Sequence, residues 1–170
     1  MSSYLTLTPV EFYVKQQGAK ITSSFGMRKH PITGKMSMHN GTDLGGKSRG
    51  FIWRSPFPGV ITYIGERAGR GLTVAMLIEG TSILQITQHH DNALCKVGDV
   101  IKPGDPLGTN GTTGNVTGPH LHYELRWMDG TDIGSHVWGD PETFIINEWK
   151  EANQMKEYVV QSGDTLGKIA

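Results

Sequence analysis

From about residue 51 to residue 127, short apolar runs rich in β-branched and aromatic residues alternate with turn signals. "FIWRS", "GVITYIG", "LTVAMLIE" and "SILQITQHH" each read as a strand, and Glu79-Gly80 reads as a tight hairpin between the last two. "KVGDVIKPGDPLGTNG" carries three glycine-containing turns with apolar pairs between them, which predicts very short strands. Before this region, "AKITSSFGMRKHPITGKMSMHNGTDLGG" is interrupted by Gly26, Pro31, Gly34 and Asn40-Gly41, and reads as strand, loop and short strand. Helical patterning is confined to the two ends. Thr8-Pro9-Val10-Glu11 has the form of a capping box with proline at the first helical position, so a helix is expected over roughly 9–17, closed by Gly18. After Trp127 the strands are expected to stop, and "DPETFIINEWKEANQMKE" to turn helical from Pro141 before a polar linker. The expected organisation is a helical lead-in over 1–18, one β domain over 19–146, a linker over 147–156, and a tail of different character over 157–170.

Within this pattern, "GPHLHYEL" at 118–125 places His120 and His122 one residue apart in a strand. Alternate strand residues share a face, so the two imidazoles project together, about 7 Å apart, while Leu121, Tyr123 and Leu125 point the other way. The run is either an amphipathic strand with two wet histidines or a pair of imidazoles aimed into one site.

Composition narrows the choice. The chain of 170 residues has 23 glycines and 36% apolar residues, which suits one turn-rich β domain and excludes long helical arrays. Sixteen Lys and Arg balance sixteen Asp and Glu, so there is no charge footprint for nucleic acid or an anionic membrane. No apolar stretch is long enough to span a bilayer, and "MSSYLTLTPVEF" lacks the form of a signal peptide. Cys95 is the single cysteine, which excludes an internal disulfide and a thiolate metal cluster. Any metal must be held by histidines and carboxylates.

A second polar pair stands in "MHNGTDLGG", where His39 and Asp43 are four residues apart around Gly41. In an extended or gently turned segment these positions return to one face. His39, Asp43 and one histidine of the strand pair would make three N/O donors. That suits a catalytic zinc with an open fourth position, which lowers the pKa of a bound water. Calcium prefers an oxygen cage, and the H-E-x-x-H pattern is absent from the sequence.

Taken in order, "ITSSFGMRKHPITGK", "SMHNGTDLGG", "GVITYIG", "VGDVIKPGDPLGTNG" and "TGNVTGPHLHYELR" resemble the lysostaphin-type (LytM-like) zinc endopeptidases of peptidoglycan over roughly residues 18–145. The resemblance implies a mainly β fold, an antiparallel sheet folded into a groove with short peripheral helices. It implies one zinc per chain on His39, Asp43 and His122, with His120 catalytic beside the metal. A second catalytic histidine is implied near the end of the strand before the "KVG" turn, and counting back from Lys96-Val97-Gly98 places it at His89, with Thr87 and Gln88 where the family has Tyr-Ala. Strand alternation is consistent with His89: Leu84 and Ile86 would face the packed side with His90, leaving Gln85, Thr87 and His89 toward the groove. The tail "EYVVQSGDTLGKIA" resembles the opening of a LysM module, which binds the glycan of peptidoglycan.

The activity implied is zinc-assisted hydrolysis of a peptide bond in the stem or cross-bridge of bacterial peptidoglycan. His89 and His120 would share proton transfer and oxyanion stabilisation. The expected partner is peptidoglycan, without nucleic acid or membrane insertion, and the expected state is a monomer. With no signal peptide read, the chain is expected to be made in a host cytoplasm and to reach the wall as a phage lysin, released or virion-associated. The rival readings are a non-catalytic wall-binding or regulatory module on the same fold and, further off, a zinc amidase cutting between glycan and stem.

Overall fold

A computed structural model describes residues 6–30, 33–128 and 137–154. Its elements in chain order are α1 (Pro9–Gln17), β1 (Lys20–Ser23), β2 (Gly26–Lys29), β3 (Met36–His39), β4 (Thr42–Gly45), β5 (Ile52–Arg54), β6 (Gly59–Arg67), β7 (Gly71–Ile78), β8 (Ile83–His90), β9 (Val100–Ile101), β10 (Pro106–Thr109), β11 (Leu121–Trp127), β12 (Val137–Gly139) and α2 (Ile146–Gln154). The architecture is mainly antiparallel β with short peripheral helices, as the sequence led us to expect. One eight-stranded sheet runs β1-β4-β11-β8-β7-β6-β9, with β12 added beside β11. Two small ribbons, β2-β3 and β5-β10, flank it.

The sheet has two differently used faces. On one, Leu121, Tyr123 and Leu125 of β11, with Ile83, Val74, Met76 and Ile61 of its neighbours, build the main core. Helix α1 closes this face. Thr8 and Glu11 form the reciprocal capping box, Gly18 ends the helix in the left-handed region at φ 66°, and Val10, Phe12 and Tyr13 are buried. Tyr13 sits edge-on to both Trp53 and Tyr123, with ring centroids 5.7 and 5.4 Å apart. The opposite face has only a small apolar cluster of Ala75, Leu84 and Ile86. Beyond it along β8 and β11 the same face turns polar, with Gln88, His122, Glu124 and Arg126.

Several expectations are corrected. The strands do not stop at Trp127: β12 pairs with β11 through Leu125↔Gly139 and Trp127↔Val137, and Trp127 packs over Gly139, where a side chain would collide with its ring. The C-terminal helix starts at Ile146 rather than Pro141, because Pro141–Thr143 form a turn closed by Asp140. That helix also occupies much of 147–156, the stretch read as linker. His39 and Asp43 do not share one extended segment: the chain kinks at Asn40-Gly41, so His39 ends the β2-β3 ribbon and Asp43 lies in the main sheet. Residues 157–170, read as the start of a LysM module, lie outside the described residues.

The alternation argument for β8 is also inverted. Gln85 and Thr87 face the main core, where Gln85 bonds Ser55 and the Tyr123 hydroxyl, and Leu84 and Ile86 face the groove side. His89 nevertheless reaches the groove, because the strand carries a bulge. The β7-β8 ladder passes from Leu72↔His90 to Val74↔Thr87, so Thr73 is opposed by two residues, Gln88 and His89. His89 takes φ +67°, the one non-glycine in the left-handed region among the described residues. Gln88 and His89 therefore both face the groove, and His90 turns back into the core side.

Candidate active site

The kink at Asn40-Gly41 brings three donors together where β3, β4 and β11 meet. β4 and β11 pair with Asp43 opposite His122, and β3 delivers His39 from the ribbon above. Gly41 permits the approach: a Cβ there would lie 2.3 Å from the Tyr123 carbonyl oxygen and 2.8 Å from His122 Nε2. His39 Nε2 lies 3.2 Å from Asp43 Oδ1 and 3.2 Å from His122 Nδ1, and His122 Nδ1 lies 2.7 Å from Asp43 Oδ1.

The remaining hydrogen bonds fix what these atoms offer. His39 Nδ1 is 2.8 Å from the Ser24 carbonyl, which can only accept, so Nδ1 carries the proton and Nε2 presents a lone pair. His122 Nε2 is 3.0 Å from Glu124 Oε1, and Nδ1 is turned to the cluster. Three atoms able to give electron pairs thus converge at one point. Burial pushes His122 down, but hydrogen bonds to Asp43 and Glu124 outweigh it and raise its pKa to about 9. Burial likewise opposes ionisation of Asp43, yet the two histidines hold its carboxyl far below the usual range. This donor set fits a divalent ion of the zinc type, with a carboxylate–histidine pair behind one ligand.

Across from the donors stand His89 and His120, with ring centroids 4.8 Å apart. The Thr113 carbonyl accepts from His89 Nδ1–H at 2.9 Å and the Gly118 carbonyl from His120 Nδ1–H at 3.0 Å, which leaves both Nε2 atoms as acceptors. Burial carries the His89 pKa down to about 4, so the ring is neutral at neutral pH. His120 Nε2 lies 3.6 Å from Asp43 Oδ1. All five residues named from the sequence line one open groove of about 490 Å³. His90 does not: it is fully buried, between the Thr109 carbonyl at 3.2 Å and the Thr87 hydroxyl at 2.9 Å.

Sequence reasoning missed the charged layer beneath the donors. Glu124 is 1% exposed. Its Oε1 accepts from Arg70 at 2.7 Å and from Gln88 at 3.4 Å, besides His122, and its Oε2 accepts from Arg126 at 2.7 Å. Burial pushes this carboxyl up, but His122, Arg126 and Arg70 outweigh it and hold it at about 2. The signal was available in "HLHYEL", because Glu124 shares the parity of His120 and His122. Arg70 also joins the two halves of the site, since its carbonyl accepts the His89 N–H at 3.2 Å.

A groove whose floor carries a histidine–carboxylate donor cluster, faced by two neutral-capable histidines, has the form of a metallohydrolase site. The model of peptidase family M23 matches residues 37–135, and the chain belongs to that family. It is 32% identical over 149 residues to the peptidoglycan DD-endopeptidase ShyC of Vibrio cholerae, covering 82% of this chain and 34% of that protein. The catalytic domain of lysostaphin from Staphylococcus simulans superposes with a TM-score of 0.66 at 26% identity, over 76% of this chain and 93% of that one. A zinc-containing peptidase from Vibrio cholerae superposes with a TM-score of 0.64 at 28% identity, over 75% of this chain and 37% of that one. The chain spans about a quarter to a third of the length of the curated relatives it matches.

Proposed function

We propose that this chain is a zinc-dependent endopeptidase that hydrolyses peptide bonds in the stem or cross-bridge of bacterial peptidoglycan. The observation that carries the reading is the convergence of His39 Nε2, Asp43 Oδ1 and His122 Nδ1 opposite His89 and His120. Similarity to a DD-endopeptidase and to the lysostaphin catalytic domain supports the substrate class. His39, Asp43 and His122 would hold a zinc ion, which would supply Lewis acidity to polarise a carbonyl and make water a better nucleophile. The protein's own groups do the rest. His39 and His122 are held in one tautomer by Ser24 and Glu124, so the donors are set before a metal arrives. His89 and His120 each use Nδ1 to bond a loop carbonyl, which turns Nε2 toward the groove. The imidazole that takes the proton of the attacking water can return it to the departing amine, while the other hydrogen-bonds the developing oxyanion or the water.

The test separates metal holding from chemistry. Zinc-loaded protein is incubated with purified peptidoglycan, and the fragments are read by mass spectrometry. The expected result is new peptide termini within the stem or cross-bridge. His122→Ala should lose zinc, and His89→Ala should keep zinc yet lose turnover by about 10² to 10⁴-fold, the usual scale for an acid–base group. Binding without any cleavage by the zinc-loaded protein would make it a wall-binding module, and release of intact stem peptides would make it an amidase.

A further inference from the structure

The β2-β3 ribbon presents two unlike faces. Met27 and Lys29 of β2 and Met36 and Met38 of β3 are exposed, while Gly26, Arg28, Ser37 and His39 turn inward. The register pairs Gly26 with His39 and Arg28 with Ser37. Arg28 therefore stands on the same face as His39, one step of two residues along the ribbon, about 7 Å away. Its guanidinium enters the groove. Among the described residues its ion-pair partner is Asp43 Oδ2 at 3.8 Å, beyond hydrogen-bond reach, and the Arg28 side chain is 32% exposed. Arg70, the other arginine of the groove lining, is already engaged by Glu124 at 2.7 Å.

This arrangement leaves an unmet charge. With a divalent ion on the three donors, Asp43 is committed to the ion. The lining then sets two carboxylates against a divalent ion and two guanidinium groups, an excess of two positive charges. A guanidinium beside a cation, with a free fork of donors, is matched by a carboxylate and left unsatisfied by a neutral backbone. Resting on the peptidase reading above, we propose that Arg28 is a specificity residue that takes the carboxylate flanking the scissile bond. The preferred substrates are then peptides in which the residue after the cut carries a free α-carboxylate, rather than neutral glycine bridges.

The experiment uses two stem or cross-bridge peptides that differ only in carrying a carboxylate or a carboxamide on the residue after the cut. Steady-state kinetics on zinc-loaded protein should favour the carboxylate by about 10 to 100-fold in kcat/KM, the range of one charge-assisted hydrogen-bonded pair. In Arg28→Gln the ratio should collapse toward one, chiefly through KM, and Arg28→Lys should restore part of it. Calorimetry in a zinc-loaded His89→Ala background supplies a readout independent of turnover: adding Arg28→Gln should weaken carboxylate-peptide binding about tenfold or more at equal zinc content. Equal rates on both peptides, or a ratio that survives Arg28→Gln, overturns the inference and leaves the peptidase standing. Cleavage of neither peptide or of peptidoglycan, with zinc bound, overturns both.

Discussion

Replacing Glu124 by glutamine removes one charge and keeps the shape, and the structure says how the loss divides. His122 Nε2–H donates to Oε1 at 3.0 Å, which holds Nδ1 toward Asp43. An amide oxygen can still accept there, but without the charge that makes the imidazole a strong donor to a metal. Loss of such an outer partner weakens metal affinity by about 10 to 100-fold. The second loss is in folding. Arg126 is 2% exposed and bonds Glu124 Oε2 at 2.7 Å, so neutralising that carboxylate weakens a charge-assisted hydrogen bond to a buried guanidinium, which costs about 1.5–3 kcal/mol. Arg70 adds little to that figure, because its side chain is 33% exposed and can turn to water.

Two assays read the two losses separately. Competition against a chelator of known affinity gives the zinc dissociation constant, measured where circular dichroism shows the variant folded. Urea unfolding of the zinc-free proteins gives stability. Glu124→Gln should bind zinc about 10 to 100-fold more weakly and unfold at distinctly lower urea. A folded Glu124→Gln protein with a zinc dissociation constant within twofold of the parent would show that Glu124 does not set the donor strength of His122.

Two further expectations concern groups around the site. Burial holds the pKa of His90 at about 4 against its ordinary 6.5, so the unfolded chain binds the extra proton first. The contribution is complete above about pH 6.5 and is lost as pH falls toward 4, which amounts to about 2 kcal/mol between pH 7 and pH 5. Urea titrations of zinc-free protein at the two pH values should show that increment missing from His90→Gln; equal pH dependence would mean the ring is already protonated or hydrated in the fold. Gly41→Ala must push its methyl against the Tyr123 carbonyl and His122, so it should cost about 1–3 kcal/mol and reduce zinc occupancy. Full zinc content with unchanged melting would refute the close approach.

The site was legible where the strand period alone decides the outcome. In β11 the apolar set Leu121, Tyr123 and Leu125 goes to the core, and His122, Glu124 and Arg126 go to the other face. What the sequence hides are relations between distant segments. Arg70 reaches Glu124 across 54 residues of chain, and nothing local to either residue announces the pair. The contact between His39 and Asp43 is four residues long in sequence but spans two sheets in space, because Asn40-Gly41 breaks the strand. Motif spacing finds such a pair, and periodicity does not explain it.

Strand β8 shows the limit most clearly, because His89 lines the groove for a reason other than the one alternation supplies. Alternation assigns a core face only when one face is dry and the other wet. All eight residues of β8 are buried, so both faces are covered and the apolar parity loses its meaning. The polar residues Gln85 and Thr87 sit on the core side because Ser55, Tyr123 and the Val74 carbonyl bond them. The apolar Leu84 and Ile86 sit on the groove side beneath Ala75. A regular strand would then have put His90 in the groove and His89 in the core. The bulge at His89, fastened by its N–H to Arg70 and by its ring to Thr113, reverses that outcome and leaves His90 bonded to Thr87 and Thr109 beneath Gly108. A left-handed conformation at a histidine costs about 1–3 kcal/mol and persists only where its surroundings enforce it, as both loops beside the groove do here. The strained position belongs to one of the two imidazoles proposed to move protons, so the aim of that ring is set by the loops at 69–71 and 109–114 rather than by the strand that carries it.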